Sequence, residues 1–229
     1  MRVVAVIPAA GRGRRMGGNI PKTSILLGGI PLLRHTLQKF EVCSQVDEVL
    51  PLVPPEELSY WNDEIVLPSM FKKVKRVLAG GAERQDSVFL GLRAVAGNAD
   101  WVIIHDGARP FVPPELIERA LSESRRWKAV AAALPAGETI KEVSPGKEIV
   151  RTLDRASLWT MQTPQSFEYG LIVNAHEKAR AEHFAGTDDA ALVERLGFPV
   201  RVIEGSRLNF KITTPEDLTL GEALLRYLP

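Results

Sequence analysis

Apolar runs rich in valine and isoleucine recur along this chain, separated each time by a stretch of helical spacing. "VVAVIP" (Val3 to Pro8) has the continuous apolar character of a strand buried on both faces. "VDEVLPLV", "VKRVLAGG" (Val74 to Gly81), "AVAAALP" (Ala129 to Pro135) and "PVRVIEG" repeat that character, and "WVIIHDGARP" (Trp101 to Pro110) is a strand running into a turn. Among the intervening stretches, "PLLRHTLQKF" puts Leu32, Leu33, Thr36, Leu37 and Phe40 on one helical face, and Glu83 to Val95 spaces Val88, Leu92 and Val95 likewise. "PPELIERALSESRR" opens on proline, where a missing N–H costs least. "EYGLIVNAHEKARAEH" and "DDAALVERLG" read as further helices. "LNFKITTPEDLTLGEALLRYL" reads as a short strand and a last helix with Thr214, Pro215 and Asp217 at its start. Strands alternating with helices predict an α/β fold, a mostly parallel sheet covered on both faces, in a single domain over 1–229.

One region breaks that alternation. "ETIKEVSPGKEIVRTLDR" (Glu138 to Arg155) holds two alternating stretches around "SPGK", a turn signal, and predicts a β-hairpin. Its charged residues fall on one face, with Ile140, Val143, Ile149, Val150 and Leu153 elsewhere. A lone hairpin is marginally stable at best in water, so this arm, about residues 136–155, is expected to pack against something. A second subunit and the chain's own domain are both open.

Directly behind the first apolar run comes "PAAGRGRRMGGNIPK" (Pro8 to Lys22), where glycines stand among Arg12, Arg14, Arg15 and Lys22. Gly11 and Gly13 let backbone N–H groups approach an anion that side chains would hold off. The formal net charge is only +1, so no global field directs the chain to nucleic acid or to an anionic membrane, and the positive site must be local. No P-loop string occurs, and Met16 stands where a dinucleotide fingerprint has its third glycine. Cys43 is the single cysteine, which excludes an intrachain disulfide and a four-cysteine zinc site. No segment approaches the roughly 20 apolar residues of a membrane span, and arginines behind a short apolar run are the wrong order for a signal peptide. A cytoplasmic location is expected.

The glycine loop does not stand alone. "GGAERQDSV", "HDGARP", "ETIK", "DRASLWTMQTPQSF", "TDDA" and "NFKITTPEDL" follow it along the chain. Together these strings resemble the nucleotidyltransferases that join a nucleoside triphosphate to a sugar or polyol phosphate. Within that group they resemble the 2-C-methyl-D-erythritol 4-phosphate cytidylyltransferase family of the non-mevalonate isoprenoid pathway, nearly end to end. The resemblance implies a Rossmann-like three-layer sandwich of the nucleotide-diphospho-sugar transferase type, with the hairpin as a protruding arm. It also implies a homodimer whose active site is shared through that arm. The implied reaction joins the cytidylyl group of CTP to methylerythritol phosphate, giving 4-diphosphocytidyl-2-C-methyl-D-erythritol and pyrophosphate.

Such a reaction needs little activation of its nucleophile, since a phosphomonoester with a second pKa near about 6 is largely dianionic at neutral pH. The difficulty is repulsion: two unit charges about 4 Å apart interact by about 4 kcal/mol at an effective dielectric near 20. By resemblance, Arg15, Lys22 and Lys211 are the cations on the triphosphate, each such oriented group being worth about 10²–10³ in turnover. Asp106 follows "VII" at a strand end, where parallel sheets place ligands, and reads either as a Mg²⁺ ligand or as a cap of the turn; the resemblance favours the Mg²⁺ ligand. Resemblance gives Pro8, Ala9, Ala10, Gly11 and Gly13 to the nucleotide, and sets Gly80, Gly81 and Ser87 around the cytosine. It gives Arg109, Thr139, Arg155 and Thr163 to the acceptor, Thr139 and Arg155 reaching across from the other subunit's arm. Arg84 and Asp86 read either as organisers of their loop or as solvated charges, Asp188 and Asp189 as helix caps, and His105 as a hydrogen-bonding histidine without a catalytic role.

Three rival functions stay open on the residues alone: a cytidylyltransferase for another polyol phosphate such as ribitol 5-phosphate, a non-catalytic nucleotide-binding homologue, and a dehydrogenase of Rossmann type. The arm is the most directly testable element. Deleting Thr139 to Leu153 is expected to convert a dimer to a monomer by light scattering, and an unchanged molar mass counts against a dimerisation arm.

Overall fold

The computed structural model describes residues 1–11, 21, 24–66 and 71–227. In chain order its elements are β1 (Val3–Pro8), β2 (Leu26–Leu27), β3 (Ile30–Pro31), α1 (Leu32–Val42), β4 (Glu48–Val53), α2 (Leu58–Trp61), β5 (Leu78–Ala79), α3 (Arg84–Val95) and β6 (Trp101–Ile104). Then come α4 (Pro114–Trp127), β7 (Ala129–Pro135), β8 (Lys141–Val143), β9 (Ile149–Thr152), β10 (Trp159–Glu168), α5 (Tyr169–Ala181), α6 (Asp189–Arg195), β11 (Arg201–Glu204) and α7 (Pro215–Leu225). Seven strands form the main sheet in the order β11-β7-β10-β6-β1-β4-β5. All neighbours are parallel except β10, which runs antiparallel to both β6 and β7.

Strand periodicity decides which helices cover which face. Val3, Ala5 and Ile7 of β1 point to a core with Leu33, Leu37 and Phe40 of α1 and Leu116, Ile117 and Leu121 of α4. Val4 and Val6 point the other way, to Val88 and Leu92 of α3, Ile172 and Ala175 of α5, and Leu192 of α6. With both faces covered, every residue of β1 is buried, which is why its sequence is unbroken by polar residues. The face expected for the first helix is the one α1 buries. At α7, Thr214 Oγ1 accepts from Asp217 N at 3.3 Å and Asp217 Oδ2 accepts from Thr214 N at 2.9 Å, a reciprocal cap. No helix among the described residues is long and apolar enough to cross a membrane.

Two strand expectations give way: Val74 to Gly81 is strand only at Leu78–Ala79, and the segment around "NFKIT" forms no strand. Trp101 to Pro110 is strand at Trp101–Ile104 and then turns, as expected. One strand is unheralded in the sequence: β10 carries Pro164 and five Thr, Gln or Ser residues, a composition that argues against a central strand. Its register shifts between Met161 and Gln165, so Pro164 lies where the ladder is already interrupted. Its buried hydroxyl at Ser166 donates to Ser124 Oγ at 2.8 Å. The predicted arm is the hairpin β8–β9, and every residue of its two strands is exposed, Ile149 by 66% and Val150 by 59%.

The packing of α3 on the sheet is close enough to demand a glycine. A Cβ on Gly91 would lie 2.7 Å from Val6 Cγ1 and 3.1 Å from Leu52 Cδ1. Gly91→Val is therefore expected to lower the unfolding free energy by about 1–3 kcal/mol, read from urea denaturation. A midpoint equal to that of the parent protein would refute this seating of α3.

Candidate active site

The carboxyl ends of β1, β4, β5 and β6 converge on one edge of the sheet. Since β1 lies between β4 and β6, the chain leaves β1 in one direction and returns on its other side, the arrangement that opens a crevice in α/β sheets. The crevice here is a cavity of about 700 Å³ lined by Pro8 to Gly11 behind β1, Gly80 and Gly81 behind β5, and Asp106 behind β6. Its walls are held by backbone: Ala9 N donates to Leu52 O and Gly80 N to Val53 O, both at 2.8 Å. A Cβ on Gly80 would lie 2.3 Å from Ala10 Cβ and 2.9 Å from Ser87 Oγ, so the two loops touch only because that position is bare. At Gly11 an added Cβ would meet nothing within 4 Å among the described residues. The glycine there serves the open side of the cavity rather than the packing.

Ser87 is buried, and its hydroxyl accepts from Gly81 N at 3.0 Å and donates to Glu83 O at 3.2 Å. Its one proton is thus committed to holding the loop. Asp86 does organise this loop, accepting from Glu83 N at 3.3 Å, whereas the Arg84 side chain reaches out of it to Asp106 and Asp189.

Asp106 sits at the centre of a charge cluster. Its Oδ1 accepts from Arg84 Nε at 2.8 Å, and its Oδ2 lies 2.9 Å from Lys211 Nζ and 3.5 Å from Arg109 Nε. Arg84 Nη1 in turn stands 2.8 Å from Oδ2 of Asp189, whose Oδ1 meets His176 Nε2 at 3.0 Å. Burial alone would raise the Asp106 pKa, but the Arg84, Lys211 and Arg109 charges overcome it and hold the carboxyl well below its ordinary value. The same contest ends the same way at Asp189, through Arg84 and His176. Burial works against the charge on Arg84 too, and Asp189 and Asp106 reverse it, raising the Arg84 pKa. Three cations thus face two carboxylates, which leaves the cluster positive beside an open cavity. Arg84 and Asp189 are the residues whose part here the sequence did not disclose: their partnership crosses from α3 to α6, and no local pattern reports it. Asp188, by contrast, caps α6 as expected, accepting from Ala191 N at 2.9 Å.

A second cavity, of about 230 Å³, adjoins the first, and Arg84, Asp106 and Lys211 line both. Arg109, Thr163 and Thr187 line the second alone. Thr187 has no sequence signal of its own, standing beside the more conspicuous acids of "TDDA". Arg109 is less free than an exposed phosphate ligand, since its Nη1 donates to Asn209 O at 2.7 Å. Thr163 Oγ1 accepts from Asp106 N at 3.1 Å and shares its own proton with His105 Nδ1 at 3.0 Å. His105 Nε2 faces Arg109 O at 3.2 Å, an acceptor, so in the neutral ring the proton sits on Nε2. Burial drives its pKa down to about 3. Thr139 and Arg155 line neither cavity of this chain; both are exposed at the base of the arm, where Arg155 Nη1 donates to Gly137 O at 3.1 Å. Gly13, Arg15 and Lys22 lie outside the described residues. Among the described residues no three His, Cys, Asp or Glu side chains are placed together to hold a metal.

Residues 3–227 match the family model described as 2-C-methyl-D-erythritol 4-phosphate cytidylyltransferase. A protein of that name from Geobacter metallireducens is 48% identical over 229 residues, 99% of this chain and 98% of its own. The structure of the protein of that name from Thermus thermophilus superposes with a TM-score of 0.81 at 38% identity, covering 99% of this chain and 100% of that one. The structure of 4-diphosphocytidyl-2C-methyl-D-erythritol synthase from Anaerococcus prevotii gives a TM-score of 0.87 at 30% identity, covering 98% and 96%.

The neutral His105 sets a pH dependence. An unfolded histidine takes up a proton near about pH 6.5, whereas this one resists until about 3. Its contribution to stability is therefore complete above about 6.5 and is lost as pH falls from there toward 3. Urea midpoints are expected to decline from about pH 6.5 to about 5, ahead of the carboxylates, and His105→Gln should flatten that decline. A flat profile for the parent protein over this interval would show that His105 titrates normally.

Proposed function

The chain belongs to the 2-C-methyl-D-erythritol 4-phosphate cytidylyltransferase family, and on that premise we propose how its residues divide the transfer of a cytidylyl group from CTP to methylerythritol phosphate in isoprenoid synthesis. A phosphate oxygen of the acceptor bonds to the α-phosphorus of CTP while the bond from that phosphorus to the bridging oxygen breaks, and pyrophosphate carries away the electron pair. No protein group has to remove a proton, because the acceptor phosphate is already largely ionised. The 700 Å³ cavity takes CTP, with its base in a slot bordered by Gly80, Gly81 and Ser87 and its phosphates toward Gly11. The 230 Å³ cavity takes the acceptor, with Thr163 and Arg109 on its wall. The reading is carried by one observation: both cavities are lined by the same Arg84, Asp106 and Lys211, so two anions bound in them meet over fixed positive charge.

Lys211, with Arg15 and Lys22 from the glycine loop, offsets the charge that builds on the phosphoryl group in flight. Asp106 suits Mg²⁺ as one carboxylate among substrate phosphate oxygens, the usual way this ion is held, though both its oxygens are ion-paired in the free protein. When bound, the ion would supply further charge neutralisation. The exposed apolar residues of the arm support a homodimer in which a second copy brings Thr139 and Arg155 to the acceptor cavity. A cytoplasmic site of action fits the single buried cysteine.

Pyrophosphate release measured with each of the four nucleoside triphosphates and a panel of polyol phosphates tests the assignment. Release is expected with CTP and methylerythritol phosphate together and with neither alone. Faster release with ribitol 5-phosphate would overturn the acceptor, and purine nucleotides turning over as well as CTP would overturn the slot.

A further inference from the structure

Two sequence strings far apart in the chain, "QTPQ" and "NFKIT", meet in the fold through a pair of side-chain amides. Gln162, only 8% exposed, donates through Nε2 to Ser206 O at 3.0 Å and accepts at Oε1 from Ser206 N at 3.2 Å. It thereby satisfies both backbone groups of one residue, as a neighbouring strand would. Gly205 must be bare for this, since a Cβ there would lie 2.3 Å from Gln162 Oε1. Asn209, fully buried, donates through Nδ2 to Thr163 O at 2.6 Å and to Gln162 Oε1 at 3.2 Å. Its own carbonyl takes the Arg109 guanidinium at 2.7 Å. Two residues on, Lys211 Nζ stands 2.9 Å from Asp106 Oδ2, and Ile212 N returns to Ala108 O at 2.9 Å.

The segment that carries Lys211 has no ladder to hold it, so these amides fix it together with the Arg109 and Ile212 bonds. Among the described residues Asn209 Oδ1, buried, has no partner, a loss that an apolar filler of the same size would avoid. What this side chain gives the fold is therefore the work of its Nδ2. We infer that Asn209, locked by Gln162, is a positioning residue that clamps the Lys211 segment to the Thr163 carbonyl and so sets where the lysine ammonium meets the reacting phosphates. A lysine stem has four flexible carbons, and only a fixed backbone origin and a fixed partner give its charge a defined place. The inference rests on the reading of Lys211 as a cation of the phosphate site.

A double-mutant cycle on the full-length protein tests it, with kcat and KM for CTP from pyrophosphate release and thermal unfolding followed in parallel. Asn209→Leu keeps the volume and removes both donations; kcat is expected to fall by about 10²-fold, the cost of an ångström of misplacement, with KM for CTP moving much less. In a Lys211→Ala background the same substitution should cost almost nothing further, because the group it positions is gone. Should Asn209→Leu not fold, Gln162→Met takes its place in the same cycle, with the same expectation. A parent-like kcat in the substituted protein, or losses that multiply with that of Lys211→Ala, would overturn the clamp alone. Full turnover by Lys211→Ala itself would overturn the reading beneath it, and the clamp with it.

Discussion

Around the carboxylate of Asp106 three cations arrive from three parts of the chain: Arg84 at the start of α3, Arg109 from the turn behind β6, and Lys211 from the segment after β11. A buried carboxylate without them would be driven to its neutral form, and three half-buried cations without it would repel one another. The cluster is therefore a condition on the whole architecture. It requires α3, β6 and the segment after β11 to end at the same edge of the sheet, and the central placement of β1 and β6 makes that edge a crevice. Asp189 and His176 extend the compensation into the second helical layer, so that Arg84 is held from both ends.

The cluster also explains the division of labour among polar groups. His105 stays neutral and spends both ring nitrogens on Thr163 and Arg109, and Thr163 spends its hydroxyl on Asp106 N. These groups shape the turn; none is free to act as a base, and a dianionic acceptor asks for none. Positive charge and bare backbone are what the site retains for its guests.

How much of this was legible depends on the range of the interaction responsible. β1, α1 and the start of α7 were readable because their signals are local: an unbroken apolar run, a helical period, a cap with its proline. The arm was readable from alternation and a turn, although its strands, being exposed, show that alternation need not imply a buried face in the isolated chain. β10 was not readable, since its polar residues are satisfied by groups on other elements, Ser166 by Ser124 and Gln165 by the start of α6. The segment at Asn209 read as a strand because its apolar residues alternate, whereas amide side chains replaced the ladder. Within the site, Asp106 and Lys211 stood in strings that a family resemblance could mark. Asp189 stood in such a string too, but as a helix cap, and its bond to Arg84 had no local sign.

The partition between the two cavities is made of side-chain charge rather than of backbone. A polyanion arriving on one side competes with Asp106 for Arg84 and Lys211 and so alters the field met by whatever arrives on the other. Binding free energies measured for each guest alone will then not sum to that of the pair, and the discrepancy must be the same whichever enters first.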